Sequence, residues 1–534
     1  MKKFAVLIAG AFLLMNTAFA GGILTNTNQS AQFVRMLSRN ASTDLDAVYF
    51  NPAGLSQLQN GFYFGLDNQS IFQTRTINSG FPGLNNSTFK GETSVPVFPN
   101  AYAVYKLDNW AFSAGFGPNA GGGTATYDKG LPTFEKQIAR IVPGLAGLST
   151  LGFPVNAYGV DISFKGSSVF WGIQAGATYK INKIVSVYLG ARYLPSSNSY
   201  SGSITNIQLG PKGALVNAQT YLTNAATAAS AKAQQTATGA AGLQPLVSAG
   251  AGSLTIAQVQ GAGYITAAQR ALIEGGLQQV GLTAAQISAI SISGAQSTFS
   301  TASATLAATA SLLNTNSAGL ADKRVDTKQT GAGITPIIGV DIHLDKLNIG
   351  LKYEHKTTLT LTNATTVDDT GLFPNGQKTG SDIPAIIAGG ADYQITDRLK
   401  ISGSGTLFLD KNVNWGENIY LQQRTIDKNF LELSFGLEYK LTDVFTVSAG
   451  YMNSKTGVSE QYQSDFSYSN DSYTFGGGFQ WKLNKRLSLD AGALLTTYKD
   501  ANKTFTEPAP FNTYNETYGK STFDFSVGIG YKIF

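Results

Sequence analysis

The chain has 534 residues, with 59 Gly, no Cys, two His, 11% aromatic and 13% charged residues, an odd balance for a string of globular domains. The lack of Cys excludes disulfides, thiolate metal sites and cysteine nucleophiles, and two His give no cluster for a metal. A formal net charge of +5, to which Lys2 and Lys3 contribute, is too small for a nucleic-acid footprint, so neither a nucleic-acid partner nor a metal or cofactor is expected.

The N-terminus, MKKFAVLIAGAFLLMNTAFA, joins a basic n-region, an apolar stretch from Phe4 to Met15 and the small-residue signature Ala18-Phe19-Ala20. It reads as a secretory signal (1–20) cleaved after Ala20. An N-terminal anchor is the alternative, but the apolar run falls short of the roughly 18 residues a spanning helix needs. Residues 21–60 do not alternate; they are polar and contain Asn51-Pro52-Ala53-Gly54, which suits a type I turn.

From residue 61 the pattern changes. The stretch YKLTDVFTVSAGY (439–451) has relatives at 105–115, 179–193, 342–353, 393–403 and 481–493. Around it Leu431, Leu433, Phe435, Leu437 and Tyr439 share one face and Glu432, Ser434, Gly436 and Glu438 the other. Alternation then restarts after Thr442-Asp443, so each copy is a tight hairpin. A soluble sandwich also alternates, with its polar face toward water. A membrane barrel inverts this, and its short periplasmic turns, longer extracellular loops and interfacial aromatics match the spacing here and the placement of Tyr105, Trp110, Tyr179, Tyr393, Phe445 and Trp481.

Strands are expected near 61–76, 95–107, 109–118, 165–181, 184–206, 326–345, 347–363, 383–396, 398–410, 428–441, 444–457, 470–483, 486–499 and 520–534. That is an all-β, fourteen-stranded antiparallel transmembrane barrel (61–534) with both termini periplasmic. In the last strand Phe523, Phe525, Val527, Ile529, Tyr531 and Ile533 take the lipid face, and the chain ends in Phe534. Within the barrel reading, 21–60 is either a disordered periplasmic tail or a hatch folded into the lumen. In the third strand, Gly115, Gly117 and Pro118 permit a break, because Pro removes a ladder donor and Gly weakens a strand; Pro118-Asn119 equally suits the strand's end. Residues 207–325 form an Ala/Gln-rich extracellular insert with capping boxes at Thr255/Gln258, Thr266/Gln269 and Thr283/Gln286, which predict short helices. Ile265, Ala268, Leu272 and Ile273 share one face there.

The signal, ASTDLDAVYFNPAGL (41–55), the second hairpin, and hairpins such as IPAIIAGGADYQITDRLKISGSG (383–405) together resemble the FadL family (OMPP1/FadL/TodX) of outer-membrane transporters for long-chain fatty acids and other hydrophobic compounds. The resemblance runs through 334–534 almost throughout. It implies localisation in the outer membrane and partners that are outer-membrane lipid, a hydrophobic small-molecule ligand (a fatty acid or aromatic hydrocarbon) and the outer-membrane assembly machinery. It also implies a hatch carrying Asn51, Pro52, Ala53 and Gly54, and lateral release into the bilayer at Gly115, Gly117 and Pro118. Helices in the third extracellular loop of family members form a capture groove; this longer insert equally suits a protective lid or a partner-binding surface.

A fatty acid needs an apolar slot and a cation. By strand phase the inward cations are Arg192, Lys352 and Lys400, with Tyr188 and Phe408 as apolar surface; the same cations could instead pair with Glu354 and Asp392. Competing readings are a polar-solute porin, an adhesive or structural barrel using the insert, and an outer-membrane hydrolase. The hydrolase would need a His beside Ser or Asp, yet His355 shares phase with the lipid face and His343 sits near the periplasmic turn at Asp345. No catalytic residue is expected.

Overall fold

The computed structural model describes residues 25–415 and 425–534; the expected leader and its cleavage site lie outside the described residues. The described chain divides into two compact units, one running to Lys136 and then over Ile162–Ile204 and Lys323–Phe534, the other over Gln137–Asp161 and Thr205–Asp322.

The first unit is a closed antiparallel barrel of fourteen strands. These are β1 (Gly61–Ser79), β2 (Thr88–Leu107), β3 (Trp110–Tyr127), β4 (Ala157–Lys180), β5 (Val185–Gly210), β6 (Lys323–Leu344), β7 (Leu347–Glu354 with Thr360–Asp368) and β8 (Lys378–Gly380 with Ile386–Gln394). They continue as β9 (Leu399–Phe408), β10 (Phe430–Lys440), β11 (Phe445–Lys455), β12 (Ser472–Lys482), β13 (Leu487–Tyr498 with Ala501–Thr506) and β14 (Thr513–Lys532). Neighbours in sequence are neighbours in the wall, and β14 closes on β1 from Tyr63↔Lys532 to Ser79↔Glu516.

Side-chain alternation explains why this sheet closes. Phe72, Leu189, Ile334, Leu351, Phe435, Phe475 and Phe525 are exposed on the outside, whereas Asp67, Gln69, Arg192, Asp341, Glu354 and Asp490 are buried on the inside. An apolar exterior over a polar interior is the inversion a lipid-facing barrel requires and a soluble sandwich forbids. Trp110 packs on Tyr179 at 4.7 Å beside two of the short turns, and Trp481, Tyr105 and Tyr393 are exposed near the strand ends that lead into short turns, where an interfacial girdle belongs.

Several strands reach further from the short turns than their lipid-facing alternation announced. The second begins at Thr88 rather than 95, and the third runs to Tyr127 instead of ending at Pro118. A bilayer needs only about 9–11 residues per strand, so these extensions carry polar sequence above the apolar band and leave little hydrophobic signal. Past β14, Phe534 is 64% exposed.

The second unit is helical. α3 (Ala218–Ser248) and α7 (Ile292–Gly319) are its long elements, with α4 (Ile256–Gly261), α5 (Ala267–Gln279) and α6 (Ala284–Ala289) between them in sequence. All three Thr-x-x-Gln boxes cap helices reciprocally, and Leu243, Ile256, Val259, Leu277, Ile292 and Phe299 form the core. Two features differ from expectation. The unit also takes in Gln137–Asp161. Leu272, which shares a face by periodicity with Ile265 and Ile273, is 76% exposed, whereas Ile265, Ile273 and Leu277 pack into the core.

Candidate functional site

Residues 25–60 pack against the inward faces of the strands rather than hanging as a tail. Ser30 caps α1 (Ala31–Met36) by accepting from Phe33 N at 2.9 Å, and Leu37 ends the helix at φ 62°. The Arg35 guanidinium reaches Asp490 at 2.8 Å, Glu438 at 2.7 Å and Ser448 Oγ at 2.9 Å, from β13, β10 and β11. The wall is glycine where α1 crosses it: a Cβ at Gly450 would stand 1.8 Å from Met36 O, and one at Gly492 2.9 Å from the Arg35 backbone.

The stretch 41–55 folds around charge. Arg39 donates to Asp46 at 2.6 and 2.8 Å and to Asp44 at 2.7 Å, and Ser42 donates to Asp46 at 2.7 Å. After α2 (Ala47–Phe50), Asn51-Pro52-Ala53-Gly54 enters a 3-10 helix, Pro52–Gln57, rather than an isolated type I turn. Asn51 Nδ2 donates to Asp341 of β6 at 2.7 Å, Pro52 O accepts from Thr178 at 2.7 Å, and Ala53 O accepts from Ser186 at 2.9 Å. A side chain at Gly54 would meet Ser42 O at 2.5 Å.

β3 does not end at Pro118, yet its pairing does fail nearby. Toward β2 the ladder runs from Leu107↔Trp110 to Ala101↔Phe116, stops, and resumes only at Thr93↔Ala125. Toward β4 it continues, with irregularities between Pro118 and Ala120 and between Gly121 and Gly123. Gly121 and Gly122 have φ of 65° and 121°, which disfavour any side chain. The N-terminal segment meets backbone groups at this site: Asn26 N donates to Asn119 O at 3.0 Å, Asn26 Nδ2 to Gly121 O at 2.7 Å, and Gln29 Nε2 to Pro118 O at 3.0 Å. Gly117 abuts Asn100, and Gly115 lies where a Cβ would touch Val48 at 3.0 Å. Side chains of β2 lie across the break, since a Cβ at Gly122 would meet the Phe98 ring at 2.4 Å and one at Gly123 would meet Val95 at 2.7 Å.

A cavity of about 430 Å³ occupies the lumen, within the range of small-molecule sites. Thr93, Val95, Phe98 and Gly121–Gly123 border it at the break; Phe33, Phe430, Met452 and Leu494 supply apolar surface deeper in. The cations chosen by phase are not on its lining. Arg192 pairs with Glu354 at 2.6 Å, packs 4.6 Å from the Tyr49 ring centre and borders only a minor void under Gly115–Gly117. Lys352 pairs with Glu354 at 2.7 Å, and Lys400 with Glu438 at 3.3 Å and Asp392 at 3.7 Å. Tyr188 is buried against Ala53 and Ile337, and Phe408 stacks on Phe430 at 4.9 Å. These residues hold the N-terminal segment and the wall together. Arg75 and Lys520, which do line the cavity, were not singled out by phase.

His343 Nδ1 contacts Asn348 at 3.0 Å and His355 Nδ1 contacts the Tyr353 hydroxyl at 3.0 Å. Among the described residues no group of three or more His, Cys, Asp or Glu is placed to hold a metal ion. Outside the strands, burial pushes the Asp410 carboxyl up to about 7, with the Phe430 N–H at 3.2 Å opposing the shift. The helical unit has its own cleft of about 810 Å³, lined by Leu243, Leu246, Leu272, Ile273 and Phe299, with Lys232 as its cation.

This architecture is similar to the crystal structure of a Pseudomonas aeruginosa FadL homologue, at 13% identity over 96% of this chain and 100% of that one, with a TM-score of 0.56. The fold is FadL-like. Similarity extends at lower scores to the Pseudomonas putida toluene transporter TodX (13% identity, 92% and 95% coverage, TM-score 0.47) and the Ralstonia pickettii toluene transporter TbuX (14%, 92% and 94%, 0.44). No family model matches the sequence, and no curated protein does. The likeness to the Pseudomonas aeruginosa protein is one of fold.

Proposed function

We propose that this barrel is an outer-membrane member of the FadL family, a passive channel for hydrophobic small molecules, long-chain fatty acids foremost. In it residues 25–60 act as a hatch, and cargo leaves sideways through the break between β2 and β3. One observation carries the reading: the lumen cavity is bordered by both sides of the unpaired stretch, Thr93, Val95 and Phe98 on β2 and Gly121–Gly123 on β3.

Elementary energetics favour a sideways exit. Releasing an alkyl chain into periplasmic water costs about 0.8 kcal/mol per methylene, on the order of 11 kcal/mol for fourteen of them. An opening in the wall leads the same chain into hydrocarbon without that cost. A porin for polar solutes accords poorly with a segment that packs on six strands of the wall through α1. The cleft in the helical unit, apolar with one cation, suits first capture from outside.

The test is uptake of a radiolabelled long-chain fatty acid by cells lacking their own transporter. Uptake that depends on the intact chain supports the reading; none from a correctly assembled barrel rejects fatty acid as cargo.

A further inference from the structure

At the end of the barrel away from the short turns, the lumen cavity is bordered by loops as well as strands. Leu131 from the β3–β4 connection and Asp465, Phe466 and Ser467 from the β11–β12 connection line it. Both connections fold inward, since Leu131, Phe134, Lys136, Tyr462, Asp465 and Tyr468 are all buried. The first carries the helix Pro132–Ala139, whose part up to Lys136 belongs to the barrel unit. Gly130, at φ 66°, turns the chain from β3 toward this helix, and a Cβ there would strike Ile162 at 2.1 Å.

Side chains hold the two pieces down. Lys136 Nζ reaches Glu516 of β14 at 2.8 Å, with both side chains at most 4% exposed, and lies 4.9 Å from the Phe505 ring centre. Glu516 also accepts from Ser79 at 2.9 Å and from Tyr518 at 2.8 Å. At the start of the helix Thr133 donates to Asp465, from N at 2.6 Å and from Oγ1 at 2.8 Å, so a carboxylate of one loop caps the helix of the other. Phe134, Phe164 and Phe466 form a cluster with ring centres 5.3, 5.5 and 5.6 Å apart.

This attachment can part while the wall stays intact. Residues 131–136 contribute no strand, and 456–471 make only the isolated bridge Ile426↔Val458. Segments held by few backbone pairings open locally, below the cost of global unfolding. A buried ion pair gains in attraction roughly what it loses in desolvation, whereas removing one partner leaves a charge buried alone. We infer that residues 131–136 and 456–471 form an entry lid over the cavity, latched by Lys136–Glu516 and Thr133–Asp465, and that cargo from outside is admitted when the latch parts. The lid governs entry, as the break between β2 and β3 governs exit in the channel reading on which this inference rests.

Lid opening can be read without cargo. Ser472 lines the cavity and is 6% exposed, and the chain has no native Cys, so S472C reports the arrival of a membrane-impermeant thiol reagent supplied outside intact cells. With the latch intact, S472C should react far more slowly than Y264C, which replaces an exposed residue of the helical unit. K136M, which leaves the Glu516 carboxylate without its cation, should raise the S472C rate roughly a hundredfold. K136M/E516Q should return it toward the parent value, and D465A, which removes the cap, should raise it about tenfold. Heat-modifiable gel mobility identifies properly folded variants, and fatty-acid uptake by the same cells should rise with the reaction rate. S472C reacting as fast as Y264C in the parent, or no faster in folded K136M and D465A, overturns the inference and leaves the channel reading standing. Uptake that stays level while S472C accelerates overturns the lid's role in entry. Acceleration in a barrel that takes up no fatty acid supports the lid and rejects the channel reading for that cargo.

Discussion

Replacing Arg35 with Met should loosen the N-terminal segment from the wall. The guanidinium is 1% exposed and bridges Asp490 and Glu438 at 2.8 and 2.7 Å. Removing one partner of a buried ion pair costs roughly 3–5 kcal/mol. The lower end applies here, because Asp490 keeps Gln32 at 3.0 Å and Glu438 keeps Lys400 at 3.3 Å. A loss of about 3 kcal/mol raises the undocked population by roughly a hundredfold. Planar-bilayer recording measures this as a rise in open probability, and R35M combined with D490N and E438Q should reverse much of it, since no charge is then left unpaired. Unchanged conductance in R35M, or no recovery in the triple variant, would refute the reasoning.

Three further outcomes follow from the geometry. F98A should remove the ring lying over Gly122 and speed fatty-acid uptake several-fold at equal assembly, whereas slower uptake would argue that the ring guides cargo. G450L should prevent α1 from seating, because even a Cβ there would meet Met36 O; proteolysis of the N-terminal segment in the assembled barrel would report it. The Asp410 carboxyl is raised from 3.8 to about 7 by burial, so its neutral form favours the folded turn Asp410–Asn412. That contribution is complete below about 3.8 and disappears as the pH rises through 7. Limited proteolysis at the turn Asp410–Asn412 should therefore accelerate between pH 5 and 8.5, and D410N should flatten the profile.

Most of the barrel was legible because its rule is local. Lipid-facing Leu, Phe and Tyr at every second position, interrupted at six tight turns, determine strand number, closure and which face is wet. The strand extensions were not legible, since residues such as 88–94 and 119–127 lie beyond the apolar band and alternate weakly. Neither were α3 and α7, whose Ala, Thr and Ser positions give little apolar contrast, although the three capping boxes between them were plain. For the site, Gly115, Gly117 and Pro118 marked the disturbed region, but Gly121–Gly123 complete it, and a glycine run reads alike as a loop or as a wall that lets side chains approach. Strand phase identified Arg192, Lys352 and Lys400 as inward without saying which inward cations already have acids. Register, a tertiary property, separates them from Arg75 and Lys520.

The absence of native Cys allows the central claim to be tested with one engineered pair, V95C/G123C. A Cβ at Gly123 would stand 2.7 Å from a Val95 methyl, close enough for a disulfide spanning the unpaired stretch. Fatty-acid uptake by cells carrying the oxidised pair should fall to background and return on reduction, while either single Cys variant behaves as the parent. Undiminished uptake with the bond fully formed would mean that cargo does not leave between β2 and β3.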